Sequence, residues 1–395
     1  FKRIFKGNVP SSNGKPIRTF RQRKYPEIRT SALLLTSRIL LAVMIFHPFY
    51  GSADWTHWAG DTGSTRFAPY DQIHVGNVDS LKILWRYRLP DADMKEMGYA
   101  EYKGTPIVVD GILYTFTPFG FAIALEAETG KELWRFDSSD RNNHSVGKFL
   151  NRGVAHWRSD KGEERIFFGT WADTLYSLDA KTGLPDPDFG AQGRVDLAED
   201  LSRPVNRYRY GISSPPTVIG DVVVIGSTIL DWHSGDSPEN YTSPGDVKGY
   251  DVRSGKLLWT FHTIPQPGEF GHEEWQNNPW ESFGAANVWA TMSADPKSGI
   301  IYLPVAAVSH DRYGGERPGS NLFSDCIVAL DARTGERMWH YQLVHHTLWN
   351  YDPPAPPMLL DVMIDGRPRK ILVQITKQAM AFVFDRITGE PIWPI

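Results

Sequence analysis

The sequence predicts an all-β fold of repeated sheets set radially, a β-propeller. Two observations predict it: a short motif that recurs along the chain, and a composition suited to short strands and tight turns. The motif is an apolar residue, usually Asp, two variable residues, Thr or Ser, Gly, a short polar spacer and Trp. It occurs at Leu125–Trp134, Tyr250–Trp259, Leu330–Trp339 and Phe384–Trp393. A further copy, Leu178–Phe189, keeps the turn but has no Trp, and Glu126 replaces Asp in the first copy. Upstream, Val75–Leu89 carries Trp85 in the same way. Internal repetition of this kind marks stacked supersecondary units.

One copy is chemically legible. Apolar and β-branched residues precede the motif, as in Gly111–Phe116 and Ser298–Ala306. The Asp/Thr/Gly segment is then a turn, in which Gly supplies positive φ and Asp bonds its own backbone. A second short strand with the Trp completes a hairpin. Such a unit cannot bury both faces of its sheet alone; several set radially can, with each Trp docked between neighbours. The repeat tryptophans are therefore read as packing residues, not ligand contacts.

The chain has 395 residues, 41% hydrophobic, which suffices for a large core and for one long all-β domain. Aromatics at 13%, with 28 Pro and 35 Gly, argue against long helices. The net charge of -4 is uneven: residues 1–30 carry nine Lys/Arg and one Glu, leaving about -12 for the rest. An acidic body without a basic, aromatic-interleaved patch speaks against nucleic acid as the partner. The single cysteine, Cys326, excludes an intrachain disulfide framework.

The amino terminus reads as a targeting segment. A basic stretch precedes the apolar run Ala32–Phe46, and small residues follow at Gly51 and Ala53. That is the layout of a secretory signal. The run is about 15 residues and contains Arg38, short for a membrane span. An uncleaved anchor, leaving the protein membrane-associated, is the alternative. The expected organisation is thus residues 1–53 as basic leader plus signal peptide or anchor, and residues 54–395 as a propeller domain. The chain starts without Met and stops two residues after Trp393, so the propeller is expected to be partial.

From Asp54 onward a family resemblance joins this reading. Trp55, Gly60, Asp61, Arg66, Phe67 and Pro69, followed by Gln72-Ile73 and Asn77 to Trp85, resemble the opening of quinoprotein dehydrogenases. Asn151–Trp157, Val344–Pro357 and Thr376–Trp393 follow in family order. The resemblance runs to the last residue and is closest to the membrane-bound glucose dehydrogenase type. It implies a secreted eight-bladed propeller, of which roughly five or six blades are expected here. It also implies pyrroloquinoline quinone (PQQ) and a divalent metal, calcium or magnesium.

PQQ is a flat, tricarboxylic ortho-quinone. It needs an aromatic face, cations and donors for its carboxylates, and a metal to polarise the reacting oxygen. A carboxylate must take the proton of the alcohol. The resemblance places Arg152 at a PQQ carboxylate, a task that suits a guanidinium fork. The alternative there is a surface ion pair. Ser213 and Thr228 fall on hydroxyl contacts to PQQ, and Asp231 on an acidic metal ligand. Trp289 matches the residue under the PQQ ring, and Lys377 a cation at the quinone oxygens. The second metal ligand of the alcohol dehydrogenase branch, an Asn, is absent from Val305–Gly315; Ser309 and Asp311 are the candidates there.

The departure falls at residue 350. The family pattern has a carboxylate directly after Trp349, as proposed general base, and this chain has Asn350. Asp352 corresponds to a second carboxylate of the glucose dehydrogenase type. Three readings stay open. Asp352 is the base; or metal and quinone suffice with a water as proton acceptor; or the chemistry is lost and the protein only binds. His345 and His346 are read as organising this loop. The function expected is a periplasmic dehydrogenase that passes hydride from a sugar or alcohol hydroxyl to PQQ. Without a CxxCH haem motif, electrons would leave to the membrane quinone pool or a separate acceptor. The alternative is a non-catalytic propeller acting as a binding or envelope-assembly scaffold.

Overall fold

The computed structural model describes residues 54–94, 99–140, 148–203, 205–230, 242–276 and 278–395. The leader and apolar run before residue 54 lie outside these, as does Asp231. Among the described residues no helix is long and apolar enough to cross a membrane.

Four antiparallel sheets of four strands and one of three follow one another along the chain. The first blade runs from Ile107–Val109 to Glu132–Asp137, and the second from Ala155–Arg158 to Arg194–Asp196. The third runs from Thr217–Ile219 to Leu257–Phe261, and the fourth from Ser293–Asp295 to Arg337–Gln342. The fifth holds Met358–Ile364, Arg367–Ile375 and Ala381–Asp385. In each, consecutive strands pair as a meander. The first strands of the second to fifth blades touch one another in turn, which puts them innermost.

The buried clusters lie between neighbouring sheets rather than within them. One joins Ile107, Tyr114 and Trp134 of the first blade to Ile166, Phe168 and Leu178 of the second. Others join the second to the third, the third to the fourth and the fourth to the fifth. The middle strands are consequently apolar on both faces; every residue of Ile300–Val305 is buried. This is why they read as continuous apolar runs instead of alternating ones.

The motif forms the turn expected of it. Asp331 Oδ1 accepts the N–H of Arg333 at 2.8 Å, and Gly335 donates its N–H to the Asp331 carbonyl at 2.8 Å with φ 73°. Asp179, Asp251 and Asp385 repeat the arrangement. Glu126 is a methylene longer and accepts from the Thr129 hydroxyl instead. The strand runs on past the tryptophan, as in Arg337–Gln342 around Trp339.

The repeat tryptophans Trp134, Trp259 and Trp339 reach forward to the next blade's turn. Trp134 Nε1 donates to Ala180 O at 2.9 Å, Trp259 to Ala332 O at 3.0 Å, and Trp339 to Arg386 O at 3.1 Å. The indole lies on the turn glycine: a Cβ on Gly183, Gly335 or Gly389 would come within 2.5–2.6 Å of the ring. Trp85 meets Gly130 in the same way. The second copy has no Trp because its extended loop does this work. Phe189 is fully buried among Trp157, Tyr250 and Val252, and Gly190 N–H donates to Ser254 O at 2.9 Å. Gly335→Ala combines a left-handed backbone with a clash against Trp259, and is expected to cost about 2–3 kcal/mol. Urea unfolding checks this; a loss below about 0.5 kcal/mol would show the joint to be soft.

Candidate functional site

In an antiparallel meander, the residues before the first strand and after the second share one end of the sheet. Arg152 precedes the first strand of the second blade, Ser213 that of the third, Trp289 that of the fourth, and Asn350 and Asp352 that of the fifth. Thr228 follows the second strand of the third blade and Lys377 that of the fifth. The repeat geometry therefore gathers residues from four blades at one end.

They form two connected groups. In the first, Arg152 Nη1 donates to Ser213 Oγ at 2.7 Å and Ser213 O at 3.2 Å, and Ser213 Oγ lies 2.5 Å from Thr228 Oγ1. The guanidinium sits over the Trp289 ring, 5.2 Å from its centroid. Ser214 donates its hydroxyl to the Trp289 carbonyl and accepts from Arg152. Ser213 is buried, whereas Arg152, Thr228 and Trp289 are half-buried. Burial lowers the Arg152 pKa from its usual value, and among the described residues no carboxylate pairs with it. A cation desolvated on its inner side and neutralised by no neighbour is suited to an anion.

In the second group, Asp352 Oδ1 accepts the Ala307 N–H at 2.8 Å, and Oδ2 lies 3.2 Å from Lys377 Nζ. Lys377 also donates to Asn350 O at 2.9 Å. Asn350 has φ 51°, a left-handed conformation that Asn tolerates well, and its amide donates to Asp311 Oδ2 at 3.2 Å. A carboxylate at position 350 would face Asp311 with like charge; the amide turns that contact into a hydrogen bond. Ser309 is buried, with its hydroxyl between the N–H and carbonyl of Gly284. His346 holds the loop through Nδ1 and Gly319 O, 2.8 Å apart.

A backbone bridge ties the groups together. Asn287 donates its amide to Ser227 O at 2.6 Å and accepts the Ala306 N–H at 2.9 Å. Ala307 then carries the contact to Asp352. Sequence reasoning missed three participants. Ser214 and Asn287 are ordinary polar residues whose roles exist only once blades adjoin. Asp325, fully buried at the start of the fourth blade's third strand, is the third. Burial first, and then the negative charge of Asp352, push its carboxyl up to about 7. A lone Asp before an apolar strand, in Ser324-Asp325-Cys326-Ile327, was the available signal.

The first group offers what a planar polycarboxylate quinone requires: a cation, two hydroxyls and an indole face from three blades. The residues present fit PQQ. Among the described residues no cluster of three or more His, Cys, Asp or Glu could hold a metal ion.

Comparison with known proteins places the whole described chain in one family. Residues 55–395 match the family described as PQQ: Glucose/ethanol/alcohol dehydrogenase, beta-propeller domain. The chain is 32% identical to the quinate/shikimate dehydrogenase (quinone) of Acinetobacter baylyi, across 87% of this chain and 44% of that one. It is 31% identical to quinoprotein glucose dehydrogenase A of Acinetobacter calcoaceticus, across 88% and 45%. The solved quinohemoprotein alcohol dehydrogenase ADHIIG of Pseudomonas putida HK5 superposes with a TM-score of 0.72 at 30% identity, across 86% of this chain and 47% of that one. The chain thus spans about half the length of the curated relatives it matches. With all but the first 54 residues inside the match, the chain belongs to the β-propeller family of PQQ-dependent glucose, ethanol and alcohol dehydrogenases.

Proposed function

We propose that this protein is a periplasmic quinoprotein dehydrogenase, part of an eight-bladed propeller, that oxidises a hydroxyl of a sugar or alcohol. The observation that carries the reading is Arg152: a half-buried guanidinium over an indole, hydrogen-bonded among the described residues to serine oxygens alone. The family and the dehydrogenase activities of its relatives support it.

When bound, PQQ would supply the hydride acceptor, and a calcium or magnesium ion would supply Lewis-acid assistance. Arg152, Ser213, Thr228 and Trp289 would hold the cofactor, and Lys377 would stand at its quinone edge. Asp231 is the proposed metal ligand. Asp352 accepts the hydroxyl proton of the substrate; its other oxygen is fixed by the Ala307 N–H, so the carboxylate cannot swing away. Electrons then leave to the membrane quinone pool or to a separate acceptor. The segment before residue 54 is proposed to direct the chain to the periplasm.

Reconstitution with PQQ and Ca²⁺, followed by dye reduction with a panel of sugars and alcohols, tests the reading. Turnover supports it, and failure to bind PQQ sinks it. Binding without turnover would identify a propeller that keeps the cofactor site and has lost the chemistry. Arg152→Lys keeps the charge but loses the fork, and should weaken PQQ binding about tenfold, or about 1.4 kcal/mol. Calorimetric titration with PQQ measures it; equal affinity would remove Arg152 from the cofactor site.

A further inference from the structure

Asp325 and Asp352 flank a single peptide unit. Asp325 donates its backbone N–H to Ala306 O at 3.1 Å, and the next N–H, of Ala307, donates to Asp352 Oδ1. The two carboxylates have opposite surroundings. Asp352 has a lysine ammonium and a backbone N–H, and its side chain is 13% exposed. Asp325 is 0% exposed. Its Oδ1 and the neighbouring Thr347 hydroxyl are not aligned for a hydrogen bond, and Ser324 Oγ stands at 3.4 Å from Oδ2; both hydroxyls pull its pKa down, and burial outweighs them. The charged groups facing it are Asp352 and Lys377 from the fifth blade and Arg317 from the loop before its own strand; the Cys326 thiol adjoins it. A carboxyl buried beside a second carboxylate favours its neutral form. Two carboxyl groups driven apart by their environments take different roles.

We propose that Asp325 is a positioning residue for the reaction: as the buried member of a carboxyl pair, it sets the charge against which Asp352 accepts the substrate's hydroxyl proton. The inference rests on the dehydrogenase reading above. In the reaction the O–H bond breaks and its proton goes to Asp352. The bound ortho-quinone would supply the oxidant that takes the hydride from the adjacent carbon as the carbon–oxygen double bond forms. With Asp325 neutral, the pair carries one charge, on Asp352. When Asp325 ionises, the second negative charge raises the proton affinity of Asp352 and makes it a stronger base. Turnover then rises with pH through the ionisation of Asp325.

Infrared difference spectroscopy on the 395-residue chain without cofactor tests the pair directly. Wild type should show a protonated-carboxyl band that disappears with a midpoint near 7. The band should be missing from Asp325→Asn and displaced to lower pH in Asp352→Asn, where the like charge is gone. Asp173 and Asp246, which burial pushes up to about 8 and about 6, contribute equally to all three samples and cancel. A band that Asp352→Asn leaves in place, or that Asp325→Asn retains, overturns the proposal. Asp352→Asn leaves Asp325 intact, so the pair is still tested if Asp325→Asn does not fold. Neither measurement needs PQQ or turnover, so failure of the dehydrogenase reading is seen separately. In the PQQ-loaded protein, kcat should rise about threefold from pH 6 to pH 8 in wild type and stay flat in Asp325→Asn, with KM unchanged. An unchanged slope in the variant also overturns the proposal.

Discussion

Asp352→Asn is expected to abolish turnover while leaving PQQ binding in place. A positioned base contributes about 10²–10⁴-fold, so kcat should fall by that factor, about 3–5 kcal/mol in the barrier. Arg152, Ser213, Thr228 and Trp289 come from the second, third and fourth blades and make no hydrogen bond to Asp352 among the described residues, so PQQ affinity should change far less than kcat, through Lys377 alone. Asn keeps the acceptor oxygen for Ala307 N–H but removes the charge opposite Lys377. Steady-state dye reduction beside a PQQ titration separates the two effects. Unchanged kcat would mean that water takes the proton, and Asp352 would then be only a loop anchor. Asn350 makes this experiment decisive, because its amide cannot substitute as base at ordinary pH.

The second large effect is expected at Arg386, far from the chemistry. Its Nε donates to Asp295 Oδ2 of the fourth blade at 3.0 Å, and Nη1 to Asp361 Oδ1 of the fifth at 2.6 Å. Its carbonyl accepts from both Trp339 and Tyr302. Arg386→Met removes the cation and leaves Asp295, 5% exposed, charged and unpaired. Breaking a buried pair on one side costs about 3–5 kcal/mol, read as a fall in urea midpoint at constant slope. The loss should shrink in acid. Burial opposes ionisation of Asp295, but Ser298 and Arg386 outweigh it and hold the carboxyl below its usual value. Its stabilisation is full above the unfolded value of about 3.9 and disappears as pH falls through the lower folded value. The difference between wild type and variant should therefore narrow below about pH 4. A loss under about 1 kcal/mol at neutral pH would class the bridge with exposed ion pairs.

Much of this architecture could be read before any coordinates, because its determinants are local. Asp331 and Gly335 specify their turn within five residues, and the Trp339 beyond it announces a docking site. Arg152, Ser213, Thr228 and Trp289, each carried by a segment that resembles the family, lie together as one connected group. What escaped was set by contacts between blades. Phe189 stands in for a missing indole only because its loop folds back against Val252. Asp325 precedes an unremarkable apolar strand, and its significance depends on Asp352, 27 residues later and one blade over. Asn350 read as a deficit; in the fold its amide is bound to Asp311.

The forward reach of each tryptophan gives the molecule an assembly logic. Three of the four joints between the five blades are made from two different repeats, an indole from one and a glycine turn with its carbonyl from the next, and the Phe189 loop makes the fourth. Each repeat that carries both halves is a tile with a plug at one edge and a socket at the other. Copying or deleting a whole tile leaves every remaining plug facing a socket. A gene built this way can lengthen or shorten by unequal crossing-over without designing a new interface. Divergence is then free to concentrate at the strand ends, where Asn350 and Asp325 lie.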